Sequence, residues 1–180
     1  SSIGSDTVCY FNYTSGTTGA PKGAVTTHGN LVANAKATTQ AMGMQETDVY
    51  LGMFSVFAHP HELFHRALLL GAPFVILDTM SPRVVADAVD RFQIRWIMAV
   101  PSFYEMMLDQ GAAESGHDLS SLRILEAGGA YVSEDALQRL EERSGGRLVP
   151  VWGSTESTGV TVVNGPFEYR EGATGRPVLG

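Results

Sequence analysis

The chain has 180 residues, of which 44% are hydrophobic and 17% are charged, and its formal net charge is -7 at pH 7. This composition is typical of one soluble globular unit that buries about 70% of its unfolded surface, which excludes a disordered or fibrous protein. Because the net charge is negative and no basic patch is visible, the sequence does not predict binding to nucleic acid or to anionic lipid.

A single cysteine, Cys9, lies in the apolar run VCYF. It has no partner for an internal disulfide, so we expect a reducing, cytoplasmic location, and we interpret Cys9 as a small core residue. The most apolar stretch, residues 67–77, is shorter than the ~18 residues that span a bilayer, and no membrane span is predicted. The first residues, SSIGSDT, show no secretory signal.

The first half of the chain alternates short β-rich runs with helical windows. Strands are predicted at residues 7–13, 24–27, 48–54 and 74–77. Helices are predicted at residues 31–42 and 61–70, and a glycine directly after each one ends it.

The second half continues the alternation. Helices are predicted at residues 82–92, after an N-cap at Ser81, at residues 103–110, and from Ser133 to the Gly145-Gly146 pair. Strands are predicted at residues 94–100, 122–127, 147–151 and 159–163. The alternation predicts a single α/β unit over residues 1–180, with a mostly parallel sheet flanked by helices.

Three polar loops follow predicted strands in this arrangement: residues 14–23 (TSGTTGAPKG), 128–130 (GGA) and 153–157 (GSTES). Ligands of such sheets bind outside the carboxyl ends of the strands, so we expect the three loops to converge on one site.

Residues 61–65 read HELFH and match the H-E-x-x-H pattern of zinc hydrolases, in which two histidines one helical turn apart hold the metal. The extended pattern fails because residue 68 is leucine and residue 71 is glycine. Asp87, Asp90 or Glu105 would have to supply the third ligand. We therefore favour His61 and His65 as polar helix residues and keep a zinc hydrolase as an alternative.

Residues 14–23, called the phosphate loop below, contain three glycines, four hydroxyl side chains and one lysine, Lys22. Glycine lets backbone N–H groups approach an anion closely, and hydroxyls and lysine add donors and positive charge, so this composition predicts a phosphate site. It is not a Walker loop, because Pro21 and Gly23 stand where that motif requires glycine and a hydroxyl residue.

The run YTSGTTGAPKG closely resembles the main motif of the adenylate-forming family, which includes acyl-CoA synthetases, peptide-synthetase adenylation domains and luciferases. VWGSTE, at residues 151–156, is similar to the aromatic-Gly-x-Thr-Glu motif of that family, and GGA matches its preceding turn. TGRP and the final LG resemble the stretch that closes its large N-terminal domain. The order of these motifs and the spacing between them also agree with the family, so the resemblance covers nearly all of residues 7–180.

The resemblance implies that a carboxylic acid attacks the α-phosphate of ATP, that pyrophosphate leaves, and that the acyl-adenylate passes its acyl group to coenzyme A. ATP, Mg²⁺ and coenzyme A are the cofactors it implies. The implied nucleotide-binding residues are Thr14, Ser15, Gly16, Thr17, Thr18, Gly19, Lys22, Gly128, Gly129, Ala130, Trp152, Gly153 and Thr155.

Lys22, Thr155 and Glu156 are the implied catalytic residues, and Glu156 with Thr14 would hold Mg²⁺, a cation that prefers oxygen ligands. The implied acyl pocket is bounded by Phe57, His59, Gly128 and Trp152. Three interpretations of Trp152 remain: it stacks on adenine, it forms a wall of the acyl pocket, or it is a plain core residue.

Residues 53–60 (MFSVFAHP) lack the aspartate with which peptide-synthetase domains of the family meet an α-amino group. A buried, unpaired ammonium would cost several kcal/mol, so an acid without an α-amino group is favoured. The sequence does not choose between fatty and aryl acids, or between coenzyme A and a carrier-protein thiol.

Members of the family are longer than this chain. Three parts of the family members have no counterpart in these residues. They are a preceding N-terminal part, a C-terminal domain with a catalytic lysine, and the ribose-binding aspartate. We therefore expect a partial AMP-binding core that is inactive by itself. A nucleotide-binding module without chemistry is the remaining alternative, beside the zinc hydrolase.

Overall fold

The structure is a computed structural model that describes residues 3–16, 19–53, 61–110, 116–129 and 133–179. Its strands are β1 (Val8–Thr14), β2 (Lys22–Thr27), β3 (Tyr50–Gly52), β4 (Phe74–Ile76), β5 (Trp96–Ala99), β6 (Ile124–Ala127), β7 (Arg147–Ser154), β8 (Gly159–Val163) and β9 (Arg176–Pro177). Its helices are α1 (His28–Met42), α2 (His65–Leu70), α3 (Pro82–Phe92), α4 (Pro101–Gln110) and α5 (Glu134–Ser144).

Within the described ranges, seven strands form one sheet in the order β4-β3-β5-β6-β7-β8-β9. The pairs from β4 to β7 are parallel, and β8 and β9 add an antiparallel edge. The predicted α/β class with a mostly parallel sheet is therefore confirmed. Helices connect the parallel strands because a parallel pair needs a long crossover.

Hydrophobic side chains cover both faces of this sheet. Leu51, Ile97 and Leu125 point to one face and pack with residues of α3, α4 and α5. Tyr50 and Trp96, one residue earlier in their strands, point to the other face and pack with residues of α1 and α2. Since successive strand side chains alternate between faces, a strand buried on both sides reads as a continuous apolar run.

Strands β1 and β2 lie outside the large sheet and pair with each other as an antiparallel hairpin. This differs from the expectation that the phosphate loop follows a strand of the parallel sheet. Only residues 15–21 join the two strands, which is too short for a parallel crossover. Cys9 is exposed on this hairpin, so its interpretation as a core residue was wrong. The apolar run VCYF belongs to a two-stranded ribbon and not to a central strand.

The boundaries of other elements also differ from the predictions, among them those of β3, α2 and β7. Strand β3 covers three residues of the predicted 48–54, and α2 begins at His65 because residues 61–64 form turns. Strand β7 continues to Ser154 because β8 pairs with it, so the first half of the predicted WGSTES turn is strand. In the part of the chain that the structure describes, no helix combines the length and the apolar character that a membrane crossing requires.

Candidate active site at the carboxyl ends of the parallel strands

A cavity of about 160 Å³ opens where the central parallel strands end, and we call it the strand-end cavity. Its lining residues lie near or directly after the carboxyl ends of β5, β6 and β7, or begin β8; they include Met98, Val100, Gly128, Gly129, Val151, Gly153, Gly159 and Val160. Glu62, from the turns before α2, also lines it. Two of the three polar loops singled out in the sequence, GGA and GSTES, therefore meet at one cavity, as their positions after neighbouring strands predicted.

The phosphate loop forms the tip of the β1–β2 hairpin. Thr14, the last residue of β1, lies opposite Lys22, the first residue of β2. Gly16 has φ 66°, and a Cβ at this position would lie 2.3 Å from the carbonyl oxygen of Ala20. The backbones of residues 16 and 20 therefore approach each other so closely that glycine is required at position 16. Ser15, Gly19 and Lys22 are accessible to a ligand, with Lys22 exposed. The predicted phosphate ligands Thr17 and Thr18 lie outside the described residues.

The GSTES segment ends β7 in a 3-10 turn, Thr155–Ser157. The Ser154 hydroxyl accepts a hydrogen bond from the backbone N–H of Ser157, and the Ser157 hydroxyl accepts one from the N–H of Ser154. This reciprocal cap fixes the turn at both ends. It leaves Glu156 exposed and Thr155 half-buried. Polar atoms of two adjacent residues are thus presented at the end of a rigid strand.

Gly153 precedes this turn at a point where two backbones nearly touch. A Cβ on Gly153 would lie 2.1 Å from the carbonyl oxygen of Gly159 in β8. No side chain fits between these strands, so the close approach explains a glycine immediately before the Ser-Thr-Glu sequence.

The hairpin and the turn lie next to each other. Strands β1 and β2 both contact the turn Thr155–Ser157. His61 joins them: its Nδ1 lies 2.6 Å from the Tyr10 hydroxyl on β1, and its Nε2 lies 3.1 Å from the carbonyl oxygen of Thr158. A carbonyl only accepts, so Nε2 carries the proton and donates, and in the neutral ring Nδ1 accepts from Tyr10. The structure thus brings the phosphate loop and Glu156 to the same side of the molecule.

The HELFH segment does not form the helical pair that a zinc site needs. The helix begins at His65, so His61 and His65 do not lie one turn apart on a common helix, and both ring nitrogens of His61 make the hydrogen bonds described above. Burial lowers the pKa of His65, and the neighbouring Arg66 lowers it further. Across the described ranges, no group of three or more His, Cys, Asp or Glu side chains is placed to hold a metal ion.

Three charged side chains, one of which lines the cavity, form a buried cluster: Glu62, Arg66 and Glu126. An Arg66 Nη1 donates to Glu126 at 2.6 Å, and its Nη2 lies 3.8 Å from Glu62. The indole N–H of Trp96 also donates to Glu126, at 3.2 Å. Burial raises the pKa of Glu126, and the positive charge of Arg66 opposes that rise. We call these three residues the buried charge cluster.

This cluster was not predicted from the sequence, although two signals for it exist. Glu62 and Arg66 have the i,i+4 spacing of a helical ion pair. Glu126 interrupts the otherwise apolar strand ILEA, and glutamate is rarely buried in a strand without a partner. The partner of Glu126 lies 60 residues away in the chain, so only the tertiary structure identifies it.

The remaining predicted pocket residues have different outcomes. Gly128 and Gly129 line the strand-end cavity. Trp152 has a side chain that is 53% exposed, which excludes the plain core position. Its neighbours Val151 and Gly153 line the strand-end cavity, and Trp152 is not among the described residues that line it. Phe57, His59 and Ala130 lie outside the described residues.

The donor groups that the structure presents here are of the kind that hold Mg²⁺ together with phosphates. Mg²⁺ is usually held by one or two carboxylates together with substrate phosphates. Glu156 provides one exposed carboxylate, on a turn that the phosphate-loop hairpin contacts.

Comparison with known proteins agrees with this geometry. The family described as AMP-binding enzyme matches residues 1–180. The chain is 36% identical over 172 residues to feruloyl-CoA synthase of Amycolatopsis sp, which covers 90% of this chain and 33% of that protein. Curated relatives of this kind are therefore about three times as long as the segment they match.

Two solved structures share the fold. The anthranilate CoA ligase AuaEII in complex with anthranoyl-AMP superposes with a TM-score of 0.84 at 26% identity, covering 96% of this chain and 34% of that one. The o-succinylbenzoate coenzyme A synthetase of Bacillus subtilis, in complex with ATP and magnesium ion, has a TM-score of 0.86 at 25% identity and covers 98% and 37%.

Proposed function

We propose, from the premise that the chain belongs to the family of AMP-binding enzymes, that the full-length protein activates a carboxylic acid with ATP and transfers the acyl group to coenzyme A. The single observation that carries this proposal is the contact of both phosphate-loop strands with the turn that bears Glu156, beside the strand-end cavity. A polyphosphate and an acid can therefore be held side by side.

In the first step, the acid oxygen attacks the α-phosphate, a P–O bond forms, and the bond to the β-phosphate breaks to release pyrophosphate. An anion approaches a polyanion, so neutralising charge and fixing geometry dominate the barrier. Lys22 and the backbone and hydroxyl donors of the phosphate loop would hold the β- and γ-phosphates. The glycine at position 16 supports this role because the backbone there has no side chain that would hinder the close approach of a phosphate.

Glu156 would hold Mg²⁺ together with the phosphates, assisted by the hydroxyl of Thr14, and the bound metal would neutralise charge that develops on the leaving pyrophosphate. Thr155 would donate to the α-phosphate. The reciprocal cap between Ser154 and Ser157 supports both roles, since it fixes the backbone of the turn that carries the two side chains.

We further propose an aryl acid as the substrate class. A cavity of about 150 Å³ holds one benzene ring, and the strand-end cavity measures about 160 Å³. A ring-sized acyl group matches this volume. Feruloyl-CoA synthase and anthranilate CoA ligase are both aryl-acid enzymes by name. The cytoplasmic location and coenzyme A as acceptor, in place of a carrier-protein thiol, stay predictions.

The test is ATP–pyrophosphate exchange by the full-length protein, with aryl acids and fatty acids of several lengths offered separately. We expect exchange with benzoate- or cinnamate-sized acids and its loss, by at least about 100-fold, in Glu156→Gln and in Lys22→Ala. Glu171→Gln and Lys36→Ala, which change exposed residues outside the site, are the matched controls. Absence of exchange with every acid would overturn the proposal, and exchange with long fatty acids alone would overturn the substrate class.

A further inference from the structure

A strained backbone conformation follows the turn that carries Thr155 and Glu156. Thr158, the next residue after that turn, has φ 63° and ψ 36°, in the left-handed region. A β-branched residue is a genuine outlier there, because its side chain crowds the backbone. Gln93, the other described non-glycine residue with a positive φ, is not β-branched. Such a conformation persists only where the surrounding structure holds it, so the contacts of Thr158 indicate what fixes the turn.

Thr158 is held from two sides. Its backbone N–H donates to the carbonyl oxygen of Thr155 at 3.2 Å, within the turn. Its own carbonyl oxygen accepts a hydrogen bond from His61 Nε2 at 3.1 Å. A Cβ on Gly159 would lie 3.0 Å from the same Nε2, so the imidazole ring packs directly against the backbone that follows Thr158. His61 therefore supports the strained residue from a position 97 residues away in the chain.

The other ring nitrogen of His61 contacts the phosphate-loop hairpin. His61 Nδ1 lies 2.6 Å from the Tyr10 hydroxyl, and the two rings stack with their centroids 5.9 Å apart and their planes at 24°. His61 is 7% exposed, and a hydrogen bond shielded from water is stronger than an exposed one. Tyr10 belongs to β1, the strand that ends at Thr14, where the phosphate loop begins. One buried ring thus links the strand that enters the phosphate loop to the turn that carries Glu156.

This link matters because backbone pairing does not join the two parts of the site. In the part of the chain that the structure describes, β1 and β2 pair with each other and with no strand of the seven-stranded sheet, whereas the turn Thr155–Ser157 directly follows β7 of that sheet. A two-stranded ribbon is marginally stable by itself, so packing contacts must fix its placement. The position of Lys22, the first residue of β2, relative to Glu156 therefore depends on contacts such as those of His61.

We infer that His61 is a positioning residue for ATP and its Mg²⁺: its hydrogen bonds to Tyr10 and Thr158 fix the distance between the phosphate loop and the turn that carries Glu156. This inference rests on the proposed function and adds a residue to the same site. The loop donors and the Glu156 carboxylate hold one polyphosphate together only when both stand at the right distance from it. A displacement of about 1 Å can cost about 100-fold in rate. His61 acts through its two neighbours and not by contact with the nucleotide.

The test is ATP–pyrophosphate exchange by the full-length protein, with the KM for ATP and the KM for the acid measured separately. In His61→Ala both hydrogen bonds are lost, so the KM for ATP should rise by about 10-fold or more, while the KM for the acid should change by less than about twofold. A merely structural role would reduce the amount of folded enzyme. That loss lowers the apparent kcat and leaves both KM values unaltered.

Binding without turnover gives a second measurement. The Kd of the full-length protein for ATP with Mg²⁺, measured by calorimetry in the absence of an acid, should rise in His61→Ala by about the same factor as the KM for ATP. His117→Gln is the matched control, because it changes a histidine whose carboxylate partner, Asp90, lies on α3 and outside the site. This variant should keep the wild-type KM and Kd.

Two conservative variants separate the two hydrogen bonds. Glutamine is long enough to place an amide N–H near the position of Nε2, where it can donate to the Thr158 carbonyl, whereas asparagine is shorter and can only accept from Tyr10 near the position of Nδ1. Because the strained Thr158 depends on the first of these bonds, His61→Gln should restore the KM for ATP to within about threefold of wild type, and His61→Asn should restore it less. In the His61→Ala background, Tyr10→Phe should raise this KM no further, because the ring that it contacts is gone.

Three results would overturn the inference and leave the proposed function intact. The first is a KM and Kd for ATP in His61→Ala that equal those of wild type, or a rise that the KM for the acid shares. The second is a KM for ATP in His61→Gln as high as in His61→Asn, a comparison that decides the matter even if His61→Ala does not fold. The third is additive effects of the Tyr10 and His61 changes. Absence of exchange by the wild type with every acid would overturn the proposed function and this inference with it.

Discussion

Replacing Arg66 by methionine should destabilise the protein far more than removing an exposed arginine. Arg66 and Glu126 have side-chain exposures of 2% and 0%, and their atoms are 2.6 Å apart. Removing one partner of such a pair leaves an uncompensated buried charge, which costs about 3–5 kcal/mol of unfolding free energy. Because Glu62 also loses its nearby guanidinium, we expect the upper part of this range.

The loss of unfolding free energy in Arg66→Met should depend on pH. Burial raises the pKa of Glu126. A carboxylate with a raised pKa contributes stability below its unfolded pKa of about 4.3 and loses that contribution as the pH rises through its folded pKa. The pKa of Glu126 is raised further when Arg66 no longer opposes the rise. The difference in unfolding free energy between wild type and variant should therefore increase as the pH rises above the unfolded pKa of about 4.3.

Urea unfolding of the full-length protein, followed by tryptophan fluorescence, measures both effects, because buried Trp96 donates to Glu126 and reports on this region. The matched control is Arg139→Met, which removes an exposed pair with Asp109 and should cost under about 1 kcal/mol. A loss in Arg66→Met no larger than in the control, or one that shrinks as the pH rises, would refute the reasoning about the buried charge cluster.

Three further substitutions probe the site. Gly153→Ala places a Cβ 2.1 Å from a backbone oxygen of β8, so it should separate the strands and lower kcat for exchange by at least about 10-fold. Gly16→Ala meets the Ala20 carbonyl at 2.3 Å and needs φ 66°, so it should raise the KM for ATP by about 10-fold or more. Tyr10→Phe removes the 2.6 Å hydrogen bond to His61, so it should lower stability by about 1 kcal/mol and raise the KM for ATP a few-fold.

These three predictions have internal controls. Gly4→Ala, where a Cβ would find only ordinary contact at 3.8 Å, should leave exchange kinetics unaltered. Tyr13→Phe changes an exposed tyrosine of the same strand and should leave both stability and the KM for ATP near wild type. Normal kinetics in Gly153→Ala or Gly16→Ala, or equal effects of the Tyr10 and Tyr13 changes, would contradict the geometry described above.

The sequence by itself determined the fold class, the family and the loops of the site. Apolar runs such as Trp96–Ala99 are buried on both faces of a parallel sheet, and this pattern is local in the chain. The glycines at 16 and 153 belong to motifs that are likewise contiguous, so resemblance found them. Their physical reason, a backbone contact made at each position, became visible only with the coordinates.

Only the tertiary structure decided how these parts meet. Contacts between residues distant in sequence determine four features. These are the hairpin that carries the phosphate loop, the exposure of Cys9, the hydrogen bonds from Tyr10 through His61 to Thr158, and the pairing of Arg66 with Glu126. Periodicity and motif spacing describe neighbours along the chain. A buried charge is instead neutralised by an opposite charge on whichever segment the fold places beside it. The reason is that electrostatic energy depends on distance in space and on burial.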